Sequence, residues 1–321
     1  MTRSVRILAG SPLPPLAREL LAELGEVVVA SFEDRRALAQ ADVLVVRAER
    51  IDADALTRAP RLRAIARTGA GLDAIDVAAA TSRGVPVIYA PEAGTGPVAE
   101  GTLALILAAN KRLRELGALV ATGRWDERYG YETRDIEGAT LGIVGLGRIG
   151  SAVARLATAI GMRVIAHEPH LDGAGAEGSP ARIVGLAQLF READVISLHC
   201  SLTDETRGLI DRRLLSSTKP GAILVNASRG DLIADESLLC EALERGWLSA
   251  IALDVFASEP PAADHPLVAD PRVICTPHAV GLTRAWNERV FGALAQDLRL
   301  LLAGERPLNV ANPETLVEPV R

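Results

Sequence analysis

Short apolar runs alternate with longer amphipathic segments along almost the whole chain. The runs are rich in Val, Ile, Leu and Ala, whereas the segments between them, such as PPLARELLAELG, repeat apolar residues at three- and four-residue spacing. Short β-branched runs predict strands, and a period near 3.6 residues predicts helices. Regular alternation of the two is typical of parallel strands joined by crossover helices, so the sequence predicts an α/β fold.

The predicted strands fall into two series. The first lies within residues 5–91 and comprises VRILAG, VVVASF, DVLVVR, LRAIART and VPVIYAP. The second lies within residues 140–278 and comprises TLGIVG, MRVIAHE, DVISLHC, AILVNAS, LSAIALDV and RVICTPH. Two separate series of strands predict two sheets.

A long helical pattern over residues 97–125 separates the two series. Its first turn contains Pro97, whose missing N–H is no loss there, and helical order is expected to fade towards Gly123. A last helix is predicted within residues 285–312. The glycine-rich stretch 171–180 is predicted to be a surface loop.

The composition favours two domains with aliphatic cores. A chain of 321 residues exceeds the size at which a single core stops growing. Hydrophobic residues make up 49% of the chain but aromatic residues only 3%. The cores are therefore expected to consist of Ala, Val, Leu and Ile, which suit closely packed α/β layers.

Charge and cysteine content argue against several classes of protein. The net charge of −6, with the basic residues scattered among acidic ones, offers no surface for a phosphate backbone, so no nucleic-acid partner is expected. The sequence contains no signal peptide and no apolar span long enough for a membrane helix, which predicts a soluble, cytoplasmic protein. The three cysteines are widely spaced and lack partners at metal-ligand spacing, so no metal site is expected.

A glycine-rich turn follows the first strand of the second series. Gly145, Gly147 and Gly150 stand between an apolar strand and an amphipathic helix, the arrangement that holds a pyrophosphate at a helix N-terminus. The next strand ends on Glu168, whose carboxylate suits ribose hydroxyls and repels a 2′-phosphate, so NAD is favoured over NADP. A structural turn with a surface glutamate is the alternative interpretation.

Polar residues follow the other strands of the second series. Because parallel strands end at one edge of a sheet, residues just past them are expected to lie together at a ligand site. They are His199, Cys200, Ser228, Arg229, Asp254, Glu259 and His278. Cys200 and Ser228 are predicted cofactor contacts, and His199 is expected to be structural.

Three of these residues form a set suited to hydride-transfer chemistry. His278 can exchange the proton that accompanies a hydride, because an imidazole titrates near neutral pH. Glu259 would favour the imidazolium and orient its ring. Arg229 offers a planar fork of donors to a carboxylate or a carbonyl. Taken singly, each has an ordinary structural alternative. His278 could be a hydrogen-bonded structural residue, Arg229 part of a surface ion pair, and Glu259 an exposed turn residue.

Five ordered segments carry a family resemblance: LGIVGLGRIG, SLHCSLTDETRGLID, LLSSTKPGAILVNASRGDLIADESLL, ALDVFASEP and TPHAVGLT. Together they resemble the NAD-dependent D-2-hydroxyacid dehydrogenases, which include phosphoglycerate dehydrogenases, glyoxylate/hydroxypyruvate reductases and D-lactate dehydrogenases. The resemblance covers nearly the whole chain and implies that Arg229, Glu259 and His278 are the catalytic set. It also implies cofactor contacts at Arg148, Ile149, Glu168, Ala227, Asp254 and Gly281.

The resemblance further implies a domain organisation. A flavodoxin-like α/β substrate domain would comprise residues 1–95 and 285–321, with a Rossmann nucleotide-binding domain, residues 96–284, inserted between them. The segment ARTGAGLDAID looks like the loop of the family whose amides hold the substrate carboxylate, and a glycine-rich nest suits an anion. The substrate contacts implied there are Arg67, Thr68, Gly69, Ala70 and Gly71. A homodimer built largely from the nucleotide-binding lobes is also implied.

Three departures from the family pattern bear on the substrate. Gly94 stands where the family commonly has Asn, Gly101 where His is frequent, and Ser201 where Pro is frequent. None removes a catalytic group, but a polar side chain expected near the substrate is missing. The expected activity is interconversion of a small 2-hydroxy acid and its 2-oxo acid, and the alternative is a non-catalytic NAD(H)-sensing scaffold resembling transcriptional corepressors.

Overall fold

A computed structural model describes residues 4–170 and 180–316. Apart from Pro180, the stretch 171–180 predicted as a loop lies outside the described residues. The chain divides into two compact units, Met1–Gly94 with Leu282–Arg321, and Thr95–Gly281. The second unit is thus inserted between the two sequence segments of the first.

The elements follow one another in regular alternation. The strands of the described residues are β1 Arg6–Ala9, β2 Glu26–Val29, β3 Val43–Val46, β4 Ala64–Arg67, β5 Val87–Tyr89, β6 Thr140–Val144, β7 Arg163–His167, β8 Arg182–Ile183, β9 Val195–Leu198, β10 Ala222–Asn226, β11 Leu248–Leu253 and β12 Val273–Cys275. Their helices are α1 Pro15–Ala22, α2 Arg35–Gln40, α3 Ala53–Arg58, α4 Val77–Ser82, α5 Thr95–Asn110, α6 Leu113–Ala121, α7 Arg148–Ala159, α8 Leu186–Glu192, α9 Arg212–Ser216, α10 Ser237–Glu244, α11 Pro266–Ala269 and α12 Arg284–Leu302. Short 3₁₀ segments span Trp125–Gly130, Gly230–Leu232 and Pro313–Thr315.

The first unit is built on a parallel sheet with the order β2-β1-β3-β4-β5. Every residue of β3 and β4 is buried, as expected for central strands covered by helices on both faces. Successive residues of these strands enter two different apolar clusters, because side chains alternate across a sheet. Trp286 and Phe291 of α12 fill one cluster, and Phe32 lies in the other.

The second unit contains a parallel sheet with the order β12-β11-β10-β9-β6-β7-β8. Numbered within the unit, the order is 3-2-1-4-5-6 with a seventh strand added, which is that of the Rossmann fold, whereas the first unit has the flavodoxin-like order. The predicted fold class is therefore confirmed. In such sheets ligands bind beyond the carboxyl ends of the strands, near the point where the strand order reverses. In this sheet that point lies between β6 and β9.

The prediction of one long helix over residues 97–125 is wrong. The structure has two helices, α5 and α6, separated where Arg112 adopts a left-handed backbone with φ 51°. Side chains explain the break: Asn110 and Lys111 both donate to the carbonyl of Arg134, and the Arg112 guanidinium pairs with the buried carboxylate of Glu115. Tertiary contacts thus override a continuous helical pattern.

The predicted strands all form, with one addition. All eleven predicted runs contain a strand of the structure, and β8 is the addition. β8 has only two residues, both exposed, at the edge of the second sheet, so it carries no apolar pattern. No helix of the described residues is long and apolar enough to cross a membrane.

Candidate active site

His278 lies in a tight turn just after β12. Its backbone is left-handed, with φ 52°, and its N–H donates to the carbonyl of Asp254 at 2.8 Å. The almost fully buried Asp254 carboxylate accepts from the Thr276 hydroxyl at 2.6 Å and from the Ala279 N–H at 2.8 Å. Burial raises the pKa of Asp254, and these hydrogen bonds oppose the rise. Asp254 therefore holds the turn that presents the imidazole.

Glu259 contacts the imidazole directly. Its Oε2 lies 2.9 Å from Nδ1 of His278, and its Oε1 accepts from the Phe256 N–H at 3.1 Å. Burial acts to raise the pKa of Glu259, but the hydrogen bond and charge of His278, the Phe256 amide and the charge of Arg229 together lower it. The side chain of His278 is 46% exposed. With Nδ1 turned to the carboxylate, Nε2 is the nitrogen left for a substrate.

Arg229 follows β10 in a turn braced by a buried side chain. Nδ2 of Asn226 donates to the Arg229 carbonyl at 2.8 Å, and Oδ1 of Asn226 accepts from the Ser228 N–H at 3.0 Å. Asn226 is fully buried. The structure brings the predicted glutamate and histidine into contact in the second unit, and the charge of Arg229 helps to lower the pKa of that glutamate.

Sequence reasoning missed two residues that build this site. Asn226 is the last residue of β10 and Thr276 is the first after β12. Each ties a strand end to the turn that carries a predicted catalytic side chain. The signal in the sequence was a polar residue closing an otherwise apolar strand, where a buried polar group must find a partner.

The glycine-rich turn predicted to hold a pyrophosphate, called the glycine cradle below, contains three glycines with different surroundings: Gly145, Gly147 and Gly150. Gly145 has φ +95°, and a Cβ there would meet the backbone N of Cys200 at 2.4 Å. A Cβ at Gly150 would meet the carbonyl oxygen of Gly145 at 2.1 Å, which only glycine avoids. A Cβ at Gly147 would meet nothing within 4 Å, so the space beside it is open to a ligand. Packing therefore requires two of the glycines, whereas the third leaves room.

The N-terminus of α7 and Glu168 lie on either side of this turn. Gly147 is the N-cap of α7, and Arg148 and Ile149 follow in its first turn, where N–H groups have no partner within the helix. Oε2 of Glu168, just past β7, accepts from the Leu146 N–H at 3.0 Å. The turn therefore presents amide donors for a phosphate and a carboxylate for a sugar.

The other predicted cofactor residues lie at the same carboxyl edge of the second sheet. Ser228 Oγ donates to the carbonyl of Cys200 at 2.7 Å. Burial raises the pKa of the Cys200 thiol to about 11, so it is neutral near pH 7. Ala227 is half-buried, and a Cβ at Gly281 would meet Val98 at 2.6 Å.

His199 does not have the surroundings of a proton-transfer group. Nε2 of His199 lies 2.8 Å from the hydroxyl of Ser197, which is fully buried. Burial lowers the pKa of His199 to about 4, so the ring is neutral near pH 7. This environment agrees with the structural role expected for it.

The predicted substrate loop lies in the first unit, just after β4. Gly69 has φ +146°, a conformation in which other residues are strained. Arg67 is buried and its Nε donates to the carbonyl of Gly71 at 2.7 Å, so this guanidinium braces the loop. The amides of Thr68 and Gly69 donate to carbonyls of Val46 and Arg67. Within the described residues, no backbone carbonyl accepts from the amides of Ala70 and Gly71.

The residues present fit a bound dinucleotide. The open face of Gly147, the amides at the start of α7 and the carboxylate of Glu168 form a cradle for a pyrophosphate and a ribose. Across residues 4–170 and 180–316, no cluster of His, Cys, Asp and Glu is arranged to hold a metal ion.

Comparison with known proteins identifies the family. Residues 103–280 match the family described as "D-isomer specific 2-hydroxyacid dehydrogenase, NAD binding domain". The chain is 42% identical to a D-3-phosphoglycerate dehydrogenase of Mycobacterium leprae over 90% of this chain and 56% of that protein. It is 42% identical to a glyoxylate reductase of Aeropyrum pernix over 84% of this chain and 82% of that one. The chain therefore belongs to the D-isomer specific 2-hydroxyacid dehydrogenase family.

A solved structure shows the same architecture. D-lactate dehydrogenase of Aquifex aeolicus, complexed with NAD and lactic acid, superposes with a TM-score of 0.86 at 28% identity, covering 96% of this chain and 99% of that one. The family resemblance and the NAD cofactor predicted from the sequence are thus confirmed. The chain spans a little over half the length of the phosphoglycerate dehydrogenases it matches, 56% to 59% of the first two.

Proposed function

We propose that this protein is an NAD(H)-dependent oxidoreductase that interconverts a small D-2-hydroxy acid and its 2-oxo acid. The observation that carries the proposal is the 2.9 Å contact between Nδ1 of His278 and Glu259, with the charge of Arg229 acting on the same carboxylate. These groups lie at the sheet edge that also carries the glycine cradle. The names of the relatives, dehydrogenases and reductases, support this class of reaction.

Each residue has a defined part in the reaction. The cradle formed by Gly147, the first amides of α7 and Glu168 would hold the nicotinamide dinucleotide, which would supply the hydride chemistry. Nε2 of His278 gives a proton to the carbonyl oxygen in reduction and removes it from the hydroxyl in oxidation. Glu259 holds the ring through Nδ1 and stabilises its protonated form. Arg229 binds the substrate carboxylate and carbonyl through its planar guanidinium.

The loop at residues 67–71 is assigned to the substrate carboxylate. The amides of Ala70 and Gly71 are its available donors, and successive amides in a glycine-rich turn form an anion nest. Arg67 supports the loop from within through its bond to the Gly71 carbonyl. We therefore expect the main chain of this loop to contact substrate, with Arg67 and Thr68 as its braces.

Phosphoglycerate and hydroxypyruvate or glyoxylate are the leading substrates. The M. leprae relative is named for the first and the A. pernix relative for the last, at equal identity. A phosphorylated substrate needs a second anion site. The smaller acids need only the donors already described, so they match the described groups more closely.

The decisive test is an absorbance assay at 340 nm with a panel of 2-oxo acids. We expect NADH to be consumed with at least one of glyoxylate, hydroxypyruvate and 3-phosphohydroxypyruvate, and NADPH at least about tenfold more slowly, because Glu168 repels a 2′-phosphate. Absence of turnover with every acid, together with NADH-dependent oligomerisation, would instead identify a non-catalytic NAD(H)-sensing scaffold.

A Glu168→Ala variant is the control for cofactor choice. Removing the carboxylate takes away both the ribose acceptor and the repulsion, so the preference for NADH should shrink by several-fold. Glu192→Ala removes another carboxylate of the second unit, one that pairs with Arg182, and should leave the preference unchanged. An unaltered preference in Glu168→Ala would exclude this residue from cofactor selection.

We also propose a cytoplasmic homodimer that uses the second unit. Exposed large apolar side chains concentrate on α6 and the 3₁₀ segment after it, at Leu113, Val120, Trp125 and Tyr129. We call these four residues the apolar arm. Exposed apolar groups gathered in one region mark contact surfaces in soluble proteins. The three free cysteines suit a reducing compartment.

Charge introduced into the apolar arm should separate the dimer. The double variant Val120→Glu/Trp125→Glu is expected to halve the molar mass measured by light scattering after size exclusion, because a carboxylate cannot be buried unpaired at an interface. Leu308→Glu places one carboxylate at a similarly exposed apolar residue outside the arm and should keep the wild-type mass. A dimeric mass in the double variant would place the interface elsewhere.

A further inference from the structure

A second carboxylate–imidazole pair lies in the same unit as the first. Glu236 precedes α10, and its Oε2 lies 3.2 Å from Nε2 of His265. Only 15% of the Glu236 side chain and 21% of the His265 side chain are exposed. Nδ1 of His265 is buried and has no hydrogen-bond partner among the described residues. The ring is therefore held in place by Glu236.

The other oxygen of Glu236 reaches the loop that carries Glu259. Oε1 of Glu236 accepts from the Ala257 N–H at 2.9 Å, and Oε1 of Glu259 accepts from the adjacent Phe256 N–H at 3.1 Å. The His265 ring packs edge-on against the Phe256 ring, with centroids 5.9 Å apart. Two carboxylates and one imidazole thus fix two successive residues of this loop.

The segment that begins at Arg229 packs against the peptide bond between Phe256 and Ala257. A Cβ at Gly230 would lie 2.0 Å from the carbonyl carbon of Phe256, so this glycine packs directly on the Phe256–Ala257 peptide. Six residues further on, Glu236 holds the N–H of that peptide. The chain from Arg229 to Glu236 is therefore anchored to the Glu259 loop at both ends, which sets the separation of the guanidinium and the carboxylate.

We propose that Glu236, braced by His265, is a positioning residue for Glu259. It contacts neither of the predicted catalytic partners of Glu259. It acts by fixing the Phe256–Ala257 peptide, which follows directly on the Phe256 N–H that the Glu259 side chain binds. The effect of Glu236 on turnover rests on the proposed function, because that function makes the Glu259–His278 contact the proton-transfer unit. The effect of Glu236 on the order of the loop is independent of the proposed function.

The first test uses the chain without cofactor or substrate. In Glu236→Ala, hydrogen exchange of a peptide covering residues 254–260, followed by mass spectrometry, should be about tenfold faster than in the wild type, because the Ala257 N–H loses its acceptor. Glu236→Gln keeps an oxygen for Ala257 and an amide that can donate to a neutral His265, so its exchange should be close to that of the wild type.

A matched control excludes general loosening of the region. Glu241→Ala removes a carboxylate of the same helix, α10, that pairs with Arg212 and Arg245 at the surface. It should leave exchange in residues 254–260 unchanged. Unchanged exchange in Glu236→Ala, or equal acceleration in Glu241→Ala, would overturn the proposal whatever the protein catalyses.

The second test measures coupling to Glu259. Glu236→Ala should lower kcat about tenfold with little change in KM for NADH, and Glu236→Gln should recover most of that loss. In a Glu259→Gln background the same Ala substitution should change kcat less than about twofold, because the group being positioned is already removed. Equal losses in both backgrounds would overturn the positioning role. A wild type without turnover would refute the proposed function, while the exchange measurement would still decide the proposal.

Discussion

His278→Ala should lower kcat by roughly a thousandfold while leaving the dissociation constant of NADH nearly unchanged. General acid–base catalysis by one positioned side chain contributes about 10² to 10⁴ to a rate. Within the described residues the imidazole hydrogen-bonds to Glu259 and to no residue of the glycine cradle, so its removal should not disturb the dinucleotide site. Steady-state assays at 340 nm and fluorescence titration with NADH measure the two quantities separately.

His278→Asn is the matched variant, because the backbone at this position is left-handed. Alanine is strained at φ 52°, whereas asparagine adopts this region readily, so the Asn variant removes the imidazole with less disturbance of the turn. Both variants should lose turnover to a similar extent. Activity in His278→Asn within tenfold of the wild type would exclude His278 as the proton donor.

Gly150→Ala should weaken NADH binding and destabilise the second unit. The new methyl group would lie 2.1 Å from the carbonyl oxygen of Gly145, and relief of that contact must move either α7 or the turn before it. Overpacking of this kind typically costs about 1–3 kcal/mol. For a unit of this size the melting temperature should fall by several degrees, as differential scanning calorimetry would measure.

Gly147→Ala separates binding from stability. Its backbone has φ −69°, which alanine adopts, and the added methyl meets no atom of the protein within 4 Å. Its melting temperature should therefore stay within about a degree of the wild type. NADH binding should still weaken at least about tenfold if a pyrophosphate approaches this residue closely. Wild-type affinity for NADH in Gly147→Ala would show that the pyrophosphate does not bind beside Gly147.

Much of the fold could be predicted because each sheet is built from strongly periodic segments. The strands β3, β4, β6 and β10 are buried along their whole length, so their sequences are short, largely apolar runs of the kind that favours a covered parallel strand. The break at Arg112 could not be predicted. It depends on the carbonyl of Arg134, which binds Asn110 and Lys111 from another part of the unit, and a local pattern carries no record of that contact.

The candidate site could likewise be predicted only in part. His278, Glu259 and Arg229 could be proposed from the sequence because each follows a predicted strand and brings a chemistry that the others complement. The inward-facing role of Arg67 could not be predicted, since the sequence shows a cation beside a loop but not the direction of its guanidinium. Asn226 stands out in the sequence as a polar residue that closes an apolar strand, but the turn that it braces could not be predicted, because its partners are backbone groups.

The buried carboxylate of Asp254 opposes folding at neutral pH. Because burial places its pKa above the usual value, the folded chain binds a proton there more readily than the unfolded chain, so this residue lowers stability as the pH rises through the folded-state pKa. The turn around His278 keeps the group nonetheless, with three donors directed at it. Replacing the carboxylate would remove this pH-dependent loss of stability, but it would also remove the acceptor that binds three donors in the turn around His278.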